Sequence, residues 1–353
     1  MALQKKLKMK EYLIKMRILI VVLVCTVMSC HQEVPYMKLQ GNTMGTTYHI
    51  TIQSEAGEIL QQKIDSLLEA FNQELSTYII SSTISSFNAA KEGMKLNKKA
   101  SPHFYEMMIR SREIHKNTQG AFDPSIGPLV DLYGFGNRKL TTMGPVDSDA
   151  LESTLKMVGF NKIKMEESQD SFHIFKSYPE MTIDFSSIAK GYGVDLVANL
   201  LNEFGVENYL VEIGGESRAL GVNAKGKVWT LGINRPEAGA SFSDVISVVH
   251  LNDKSLATSG NYRNFYDVDS ITYVHIIDPV TGMSRPSDIL SATVLADDCA
   301  TADAYATAFI VMGVEKAMKL VNEIDDIEAC FIVAPSGKYE FRYSEHYKNF
   351  MNE

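Results

Sequence analysis

Cysteine is scarce in this chain: four in 353 residues, too few to staple a disulfide scaffold. Low-complexity tracts and internal repeats are also missing, which excludes collagen-like and disordered classes. No apolar run reaches the ~20 residues that a membrane-spanning helix needs. Cations are in the minority, 34 Lys and Arg against 43 Asp and Glu. The resulting net charge of −9 argues against a general nucleic-acid binder, which needs a basic face. What is there is ordinary globular material, with 45% hydrophobic, 9% aromatic and 22% charged residues. That is enough chain for a sizeable core in one large or two modest domains.

The charge is unevenly spread. Residues 1–29 hold six cations (Lys5, Lys6, Lys8, Lys10, Lys15, Arg17) and one acid, Glu11, so the remaining 324 residues carry a net of −14. After Arg17 comes the apolar run ILIVVLVCTVMSC. A basic start, about a dozen apolar residues and a small residue at the end make a secretory signal. Its end, Val27-Met28-Ser29-Cys30, resembles a bacterial lipobox, in which the Cys becomes the acylated first residue; Met28 departs from the commonest pattern. A plain signal peptide and an uncleaved anchor are the competing readings, and Met9 and Met16 offer later starts. With Cys25 removed and Cys30 lipidated, Cys299 and Cys330 remain. Both sit in apolar stretches, so buried free thiols are favoured over a disulfide between them.

The expected organisation is a signal over 1–29, a tether over 30–40, one domain over 41–345 and a tail over 346–353. Tyr48, Ile50 and Ile52 alternate like a half-buried strand. Ile59, Leu60, Ile64, Leu67, Leu68, Phe71 and Leu75 form a helical core stripe. Ser101-Pro102 reads as the cap and first turn of another helix, and Leu151, Leu155 and Val158 mark a third, stopped by Gly159. A longer helix is expected from near Ser186 to just before Gly205, and one from about 300 to 323. Strands are expected at 208–213, 228–233, 244–251, 271–278, 290–296 and 329–334. Clustered strands with intervening helices predict an α+β fold, a single domain of mixed sheets flanked by helices.

Five stretches carry glycine and polar residues where packing alone would not ask for them. Gly41–Thr47 (GNTMGTT) precedes a strand and reads as a turn or as a close approach to a ligand. Gly120–Val130, running on to Tyr133-Gly134-Phe135-Gly136, reads as a rigid irregular loop, suited either to a planar ring or to covering a sheet edge. Ile183–Asp195 (IDFSSIAKGYGVD) places Asp184 at a strand end and Ser186 and Ser187 at a helix start. There a positive dipole end and Lys190 suit phosphate, although plain capping explains the serines equally well. Thr258–Asn264 (TSGNYRN) is followed by Val274–Gly282, in which His275 and Ile277 are expected on one face of a strand and Asp278 at a turn. A lone His is more often structural; if functional, it suits proton removal from a hydroxyl. Last, Asp303 and Thr307 in TADAYATA lie four apart on one helix face, hard oxygen donors of the kind Mg²⁺ accepts. Two such donors are too few for a cage, so a diphosphate would have to share the ion, and a capping box above a small-residue packing face is the alternative.

Taken together, MGTTY, STY followed by SxISxFN, GAFDPSIGPLVDLYGFG, DFSSIAKGYGVD, EIGGE, TSGNYRN, HIIDPVTG and TADAYATAFIVMG resemble the ApbE family of FAD:protein FMN transferases across nearly all of residues 41–335. The resemblance implies an ApbE-like α+β fold with FAD in a cleft. It implies FAD contacts from Met44, Tyr78, Ala121, Phe122, Asp123, Asp184, Lys190 and Ile277. It also implies Mg²⁺ held by Ser187 (through its carbonyl), Asp303 and Thr307, with His275 as base. Ala306 falls where some members place an Asp ligand, so that side chain is lost here.

The implied reaction is attack of an acceptor Thr or Ser hydroxyl on the FMN-side phosphorus of FAD, with AMP leaving. The implied acceptors are flavoprotein subunits of membrane complexes such as the sodium-pumping NADH:quinone reductase or the Rnf complex. The enzyme itself is expected as a lipoprotein at the periplasmic side of the inner membrane. The rivals are an FAD pyrophosphatase, with water as nucleophile, and a flavin-binding lipoprotein without catalysis.

Overall fold

The computed structural model describes residues 9–10, 12, 15–16, 34–136, 145–237, 239, 241, 244–251, 253–260, 265–268 and 271–351. Met1–Pro35 and Tyr36–Glu353 are separate units, and the fold is that of the second. Cys30, most of the expected signal and Asn261–Asn264 of the TSGNYRN motif lie outside the described residues.

Along the chain come β1 (Tyr36–Thr43), β2 (Thr46–Gln53), α1 (Gly57–Leu75), α2 (Thr83–Ala89), β3 (Gly93–Asn97), α3 (Pro102–Asn117), α4 (Gly127–Leu132), α5 (Ser148–Leu155), β4 (Ile163–Glu167), β5 (Ser171–Lys176) and α6 (Ala189–Glu203). Then follow β6 (Tyr209–Ile213), β7 (Glu216–Leu220), β8 (Trp229–Asn234), β9 (Val245–Leu251), β10 (Ser255–Gly260), β11 (Phe265–Val268), β12 (Ile271–Val274), β13 (Ile289–Ala296), α7 (Cys299–Met312), α8 (Val314–Val321), β14 (Glu328–Val333) and β15 (Glu340–Tyr343). The fold is mixed α+β, as expected.

Its centre is an antiparallel sheet in the order β1-β2-β6-β7-β10-β13-β14-β15. Strand periodicity places alternate residues on opposite faces. On one face Ala257, Ala292, Val294, Ala329 and Phe331 join the core beneath α3 and α7. On the other, Leu256, Leu295, Cys330 and Ile332 pack with Trp229, Val249 and Leu251 of the β8–β9 pair. The central strand β13 is therefore buried on both sides, and α1 and α6 cover the β1-β2-β6 end through Leu60, Ile64, Leu68, Val194, Val197 and Leu201.

Several boundaries differ from expectation for identifiable reasons. The tether is shorter, because Tyr36–Thr43 pair with Thr46–Gln53. The tail is partly packed: Tyr347 is fully buried and stacks on Tyr343. Ile59 leaves the helical stripe for solvent, at 56% exposure. Ser101 sits at the N-cap of α3 without a side-chain capping bond. Helix α5 ends at Leu155, and Gly159, at φ 129°, begins a 3₁₀ turn (Phe160–Lys162) rather than stopping the helix itself. The helix expected over 300–323 is two, broken where Gly313 adopts φ 75° and Asp288 accepts from the Val314 N–H at 3.0 Å. The strand expected over 271–278 stops at Val274, where the Ser284 hydroxyl takes both the N–H and the carbonyl of Val274 in place of a neighbouring strand. Cys299 and Cys330 are buried free thiols, as favoured above. Among the described residues no helix is long and apolar enough to cross a membrane.

Candidate active site

Two hairpin turns meet at one end of the sheet. Met44-Gly45 joins β1 to β2 with both residues at positive φ, 49° and 72°, the backbone of a type I′ turn. Gly214-Gly215 joins β6 to β7, and the Gly214 N–H donates to the Thr47 carbonyl at 3.1 Å. The C-terminal end of β10 (Thr258–Gly260) reaches the same edge, because β10 runs antiparallel to β7. Above them lie the start of α6 and one face of α7. Together they enclose a cleft of about 1990 Å³, larger than the usual ~300–1,000 Å³ of a small-ligand pocket.

This cleft gathers the expected residues. Met44, Tyr78, Ala121, Phe122, Asp123, Asp184, Ser187, Lys190, His275, Ile277, Asp303 and Thr307 all line it. Ala306 does not, and is fully buried. Met44 is the one non-glycine in the paired turns with positive φ, a strained conformation of the kind that persists where surroundings over-determine it. Its methyl packs against Gly193, where a Cβ would lie 2.4 Å away.

The charged centre is a chain of three side chains. Asp303 accepts from the Gly191 N–H through Oδ2 at 3.0 Å. Its Oδ1 lies 3.8 Å from the Lys190 ammonium, which is closer, at 3.1 Å, to Glu216 Oε1. Burial pushes the Glu216 carboxyl up, against the pull of Lys190. Burial pulls Lys190 down, but Asp303 and Glu216 outweigh it and raise its pKa above the ordinary lysine value. Two carboxylates thus share one ammonium.

On the same face of α7, Thr307 Oγ1 lies 3.0 Å from Ser259 Oγ. Among the described residues no three His, Cys, Asp or Glu side chains converge on a metal position. The Asp303 carboxylate, the Thr307 hydroxyl and the Ser187 carbonyl are nevertheless hard oxygen donors, of the kind a divalent cation accepts when a substrate completes its shell.

Other parts differ from expectation. Asp184 ends no strand; its N–H donates to the Pro124 carbonyl at 2.8 Å and its carboxylate accepts from the Ser186 N–H at 2.7 Å. Asn88 holds the preceding residue through both the N–H and the carbonyl of Ile183. Helix α6 consequently begins at Ala189, not at Ser186. The N–H groups of Ser186, Ile188, Ala189 and Gly191 already have protein acceptors, so the helix start offers few open donors to a phosphate.

The stretch expected as an irregular loop is largely a 3₁₀ turn (Pro124–Ile126) and α4. Of its aromatics, Phe122 is in the core and Tyr133 donates to the Gly282 carbonyl at 2.9 Å. Only Phe135 is left half-buried at the cleft wall. Asp123 orders this stretch: Oδ1 accepts from the N–H and hydroxyl of Ser125, and Oδ2 from the Phe160 N–H at 2.9 Å. His275 and Ile277 stand on an irregular segment beyond β12, the His275 ring 6.4 Å from that of Phe135. Asp278 does make the expected turn, accepting from the Val280 N–H and the Thr281 hydroxyl. Residue-level reading missed Glu216, Ser259 and Asn88, although each sits within a motif quoted above. A Glu beginning a strand reads as solvent-facing, and only the Gly-Gly before it signals the turn that tucks it under Lys190.

The profile of the ApbE family matches residues 44–331. The chain is 36% identical to an FAD:protein FMN transferase of Vibrio cholerae over 328 residues, spanning 92% of this chain and 95% of that one. To that of Haemophilus influenzae it is 33% identical, with 94% and 96% covered. Among solved structures, the flavin transferase ApbE from Vibrio cholerae superposes with a TM-score of 0.79 at 34% identity, over 90% of this chain and 99% of that one. The apbe protein from Thermotoga maritima gives 0.78 at 26% identity, over 90% and 100%. With the match running from the Met44 turn to β14, this chain belongs to the ApbE family.

Proposed function

We propose that this chain transfers FMN from FAD to a Thr or Ser hydroxyl of an acceptor protein, with AMP as the leaving group and Mg²⁺ as the required cation. The observation that carries this reading is the convergence, in one cleft, of the carboxylate of Asp303, the hydroxyl of Thr307 and the ring of His275. Its relatives named FAD:protein FMN transferases match it along almost their whole length.

In this reading Met44, Tyr78, Ala121, Phe122 and Ile277 bound the flavin, with Phe135 at the wall. Asp184 lies beside them on the backbone that Asn88 holds, and Asp123 keeps the 121–126 backbone in shape. Lys190 meets the diphosphate with a point charge. Ser187, Asp303 and Thr307 hold Mg²⁺, which when bound supplies the positive charge that the diphosphate needs as AMP departs. His275 takes the proton of the acceptor hydroxyl as its oxygen bonds to the FMN-side phosphorus. The bond to AMP breaks, and its electron pair leaves with the AMP phosphate. The chain's own contribution is orientation, charge neutralisation and proton removal, which is most of what phosphoryl transfer requires.

The acceptor is a flavoprotein subunit of a membrane electron-transport complex of the sodium-pumping NADH:quinone reductase or Rnf type. Acylation at Cys30 holds the enzyme at the periplasmic side of the inner membrane, beside it. Incubating the protein with FAD, Mg²⁺ and a Thr-containing acceptor domain tests the reaction. In-gel flavin fluorescence on the acceptor is expected; free FMN alone indicates a pyrophosphatase, and unchanged FAD a binding protein.

A further inference from the structure

We propose that Glu216 is a positioning residue that holds the Lys190 ammonium away from Asp303, keeping one Asp303 oxygen open to a divalent cation. The inference rests on the reading of Asp303 as a cation ligand.

The two oxygens of Asp303 are not equivalent. Oδ2 is engaged by the Gly191 N–H at 3.0 Å. Oδ1 has Lys190 Nζ at 3.8 Å, beyond hydrogen-bond reach. That separation is not dictated by the lysine, whose four-carbon stem is flexible. The stem lies along the Gly214 turn, where a Cβ would be 3.3 Å from Lys190 Cδ, and the ammonium ends 3.1 Å from Glu216 Oε1. Glu216 is the first residue of β7, and its register opposite Ile213 fixes it beneath the lysine.

Glu216 is a costly residue to bury. Its residue is 5% exposed, and its Oε2 is buried with no hydrogen-bond partner. A buried carboxylate with one unsatisfied oxygen is costly, and its pairing with Lys190 repays that cost only in part. What Glu216 supplies is a competing anion. Without it, the one ammonium in the cluster has Asp303 Oδ1 as its nearest carboxylate. A closed Lys190–Asp303 pair would occupy the oxygen that the cation needs and place a positive charge against it.

Mn²⁺ binding to the FAD-loaded protein, followed by loss of the free-ion EPR signal and compared with FAD alone, tests this. Glu216→Gln is expected to weaken Mn²⁺ binding by about 10–100-fold, the range for residues that orient metal ligands. Adding Lys190→Met to Glu216→Gln is expected to restore most of the lost affinity, because the competing ammonium is gone. Unaltered Mn²⁺ binding in Glu216→Gln, or a defect that persists in the double variant, overturns the inference. Equal binding by the wild type and Asp303→Ala, or none by either, instead sinks the cation-ligand reading and this inference with it.

Discussion

Asp195 and Asp303 exchange helix caps. Asp195, on α6, accepts from the N–H groups of Cys299 and Ala300 at the start of α7, both at 2.9 Å. Asp303, on α7, accepts from Gly191 in the first turn of α6 at 3.0 Å. Helix N-termini carry donors that their own turns cannot satisfy, and here each helix completes the other. The candidate cation ligand is thus held by the contact that sets the packing of the two helices.

Gly191 is the point where they touch. A Cβ there would lie 2.2 Å from the Cys299 carbonyl oxygen and 2.9 Å from Ala300 Cα, both backbone. Gly191→Ala is expected to cost about 3 kcal/mol, the upper end of overpacking penalties, and to abolish turnover by moving Asp303. Gly205→Ala, at φ 70° with nothing near its Cβ, is expected to cost only the ~1–2 kcal/mol of a left-handed residue and to leave turnover intact. Urea unfolding and AMP release measure both. Full activity in Gly191→Ala would contradict the coupling.

Asp195 gives stability a defined pH dependence. Burial, with Asp298 nearby, pushes its carboxyl up to about 6, against the pull of two backbone N–H groups and Arg218. The folded chain therefore binds this proton more tightly than the unfolded chain, whose value is near 3.9. The stability that Asp195 contributes relative to Asp195→Asn is full below about pH 4, falls as pH rises to about 6, and is level above. The fall is on the order of 2–3 kcal/mol, and urea unfolding across that range reads it. A difference that rises with pH has the wrong sign for this account.

Cys30→Ala removes the proposed site of acylation. In cells the variant is expected in the soluble periplasmic fraction or as uncleaved precursor, while the wild type sediments with membranes. Equal membrane recovery of both proteins, with the wild type carrying no lipid by mass spectrometry, would contradict the anchor.

The fold class was legible in local signals, whereas most of the candidate site was legible only through the resemblance carried by the motifs together. Tyr48, Ile50 and Ile52 alternate over one short strand, and Asp303 and Thr307 share a face by helical spacing alone. What was not legible depends on distant partners. Whether the strand beyond Val274 continued was decided by Ser284, and where α6 began was decided by the Asp184 turn and by Asp303, more than a hundred residues away. Glu216 was hidden for the same reason: its burial is set by the Gly214-Gly215 turn and by Lys190, not by its own neighbours. Tyr133 looked available for a flavin, but the Gly282 carbonyl claimed its hydroxyl.

His275 tests the division of labour within the cleft. His275→Ala is expected to lower the rate of transfer by about 10²–10⁴-fold, the usual worth of a general base, with FAD affinity by fluorescence titration unchanged. A variant with wild-type turnover would remove His275 as the base, and one that loses FAD would reassign it to binding.

The most direct measurement counts two products of one reaction. With FAD, Mg²⁺ and an acceptor domain, AMP in solution and FMN on the acceptor are quantified together, alongside the same acceptor with its target Thr changed to Val. This account predicts AMP and protein-bound FMN in equal amounts, and neither in excess of background with the Val acceptor. AMP released with free FMN, at a rate indifferent to the acceptor, would contradict it.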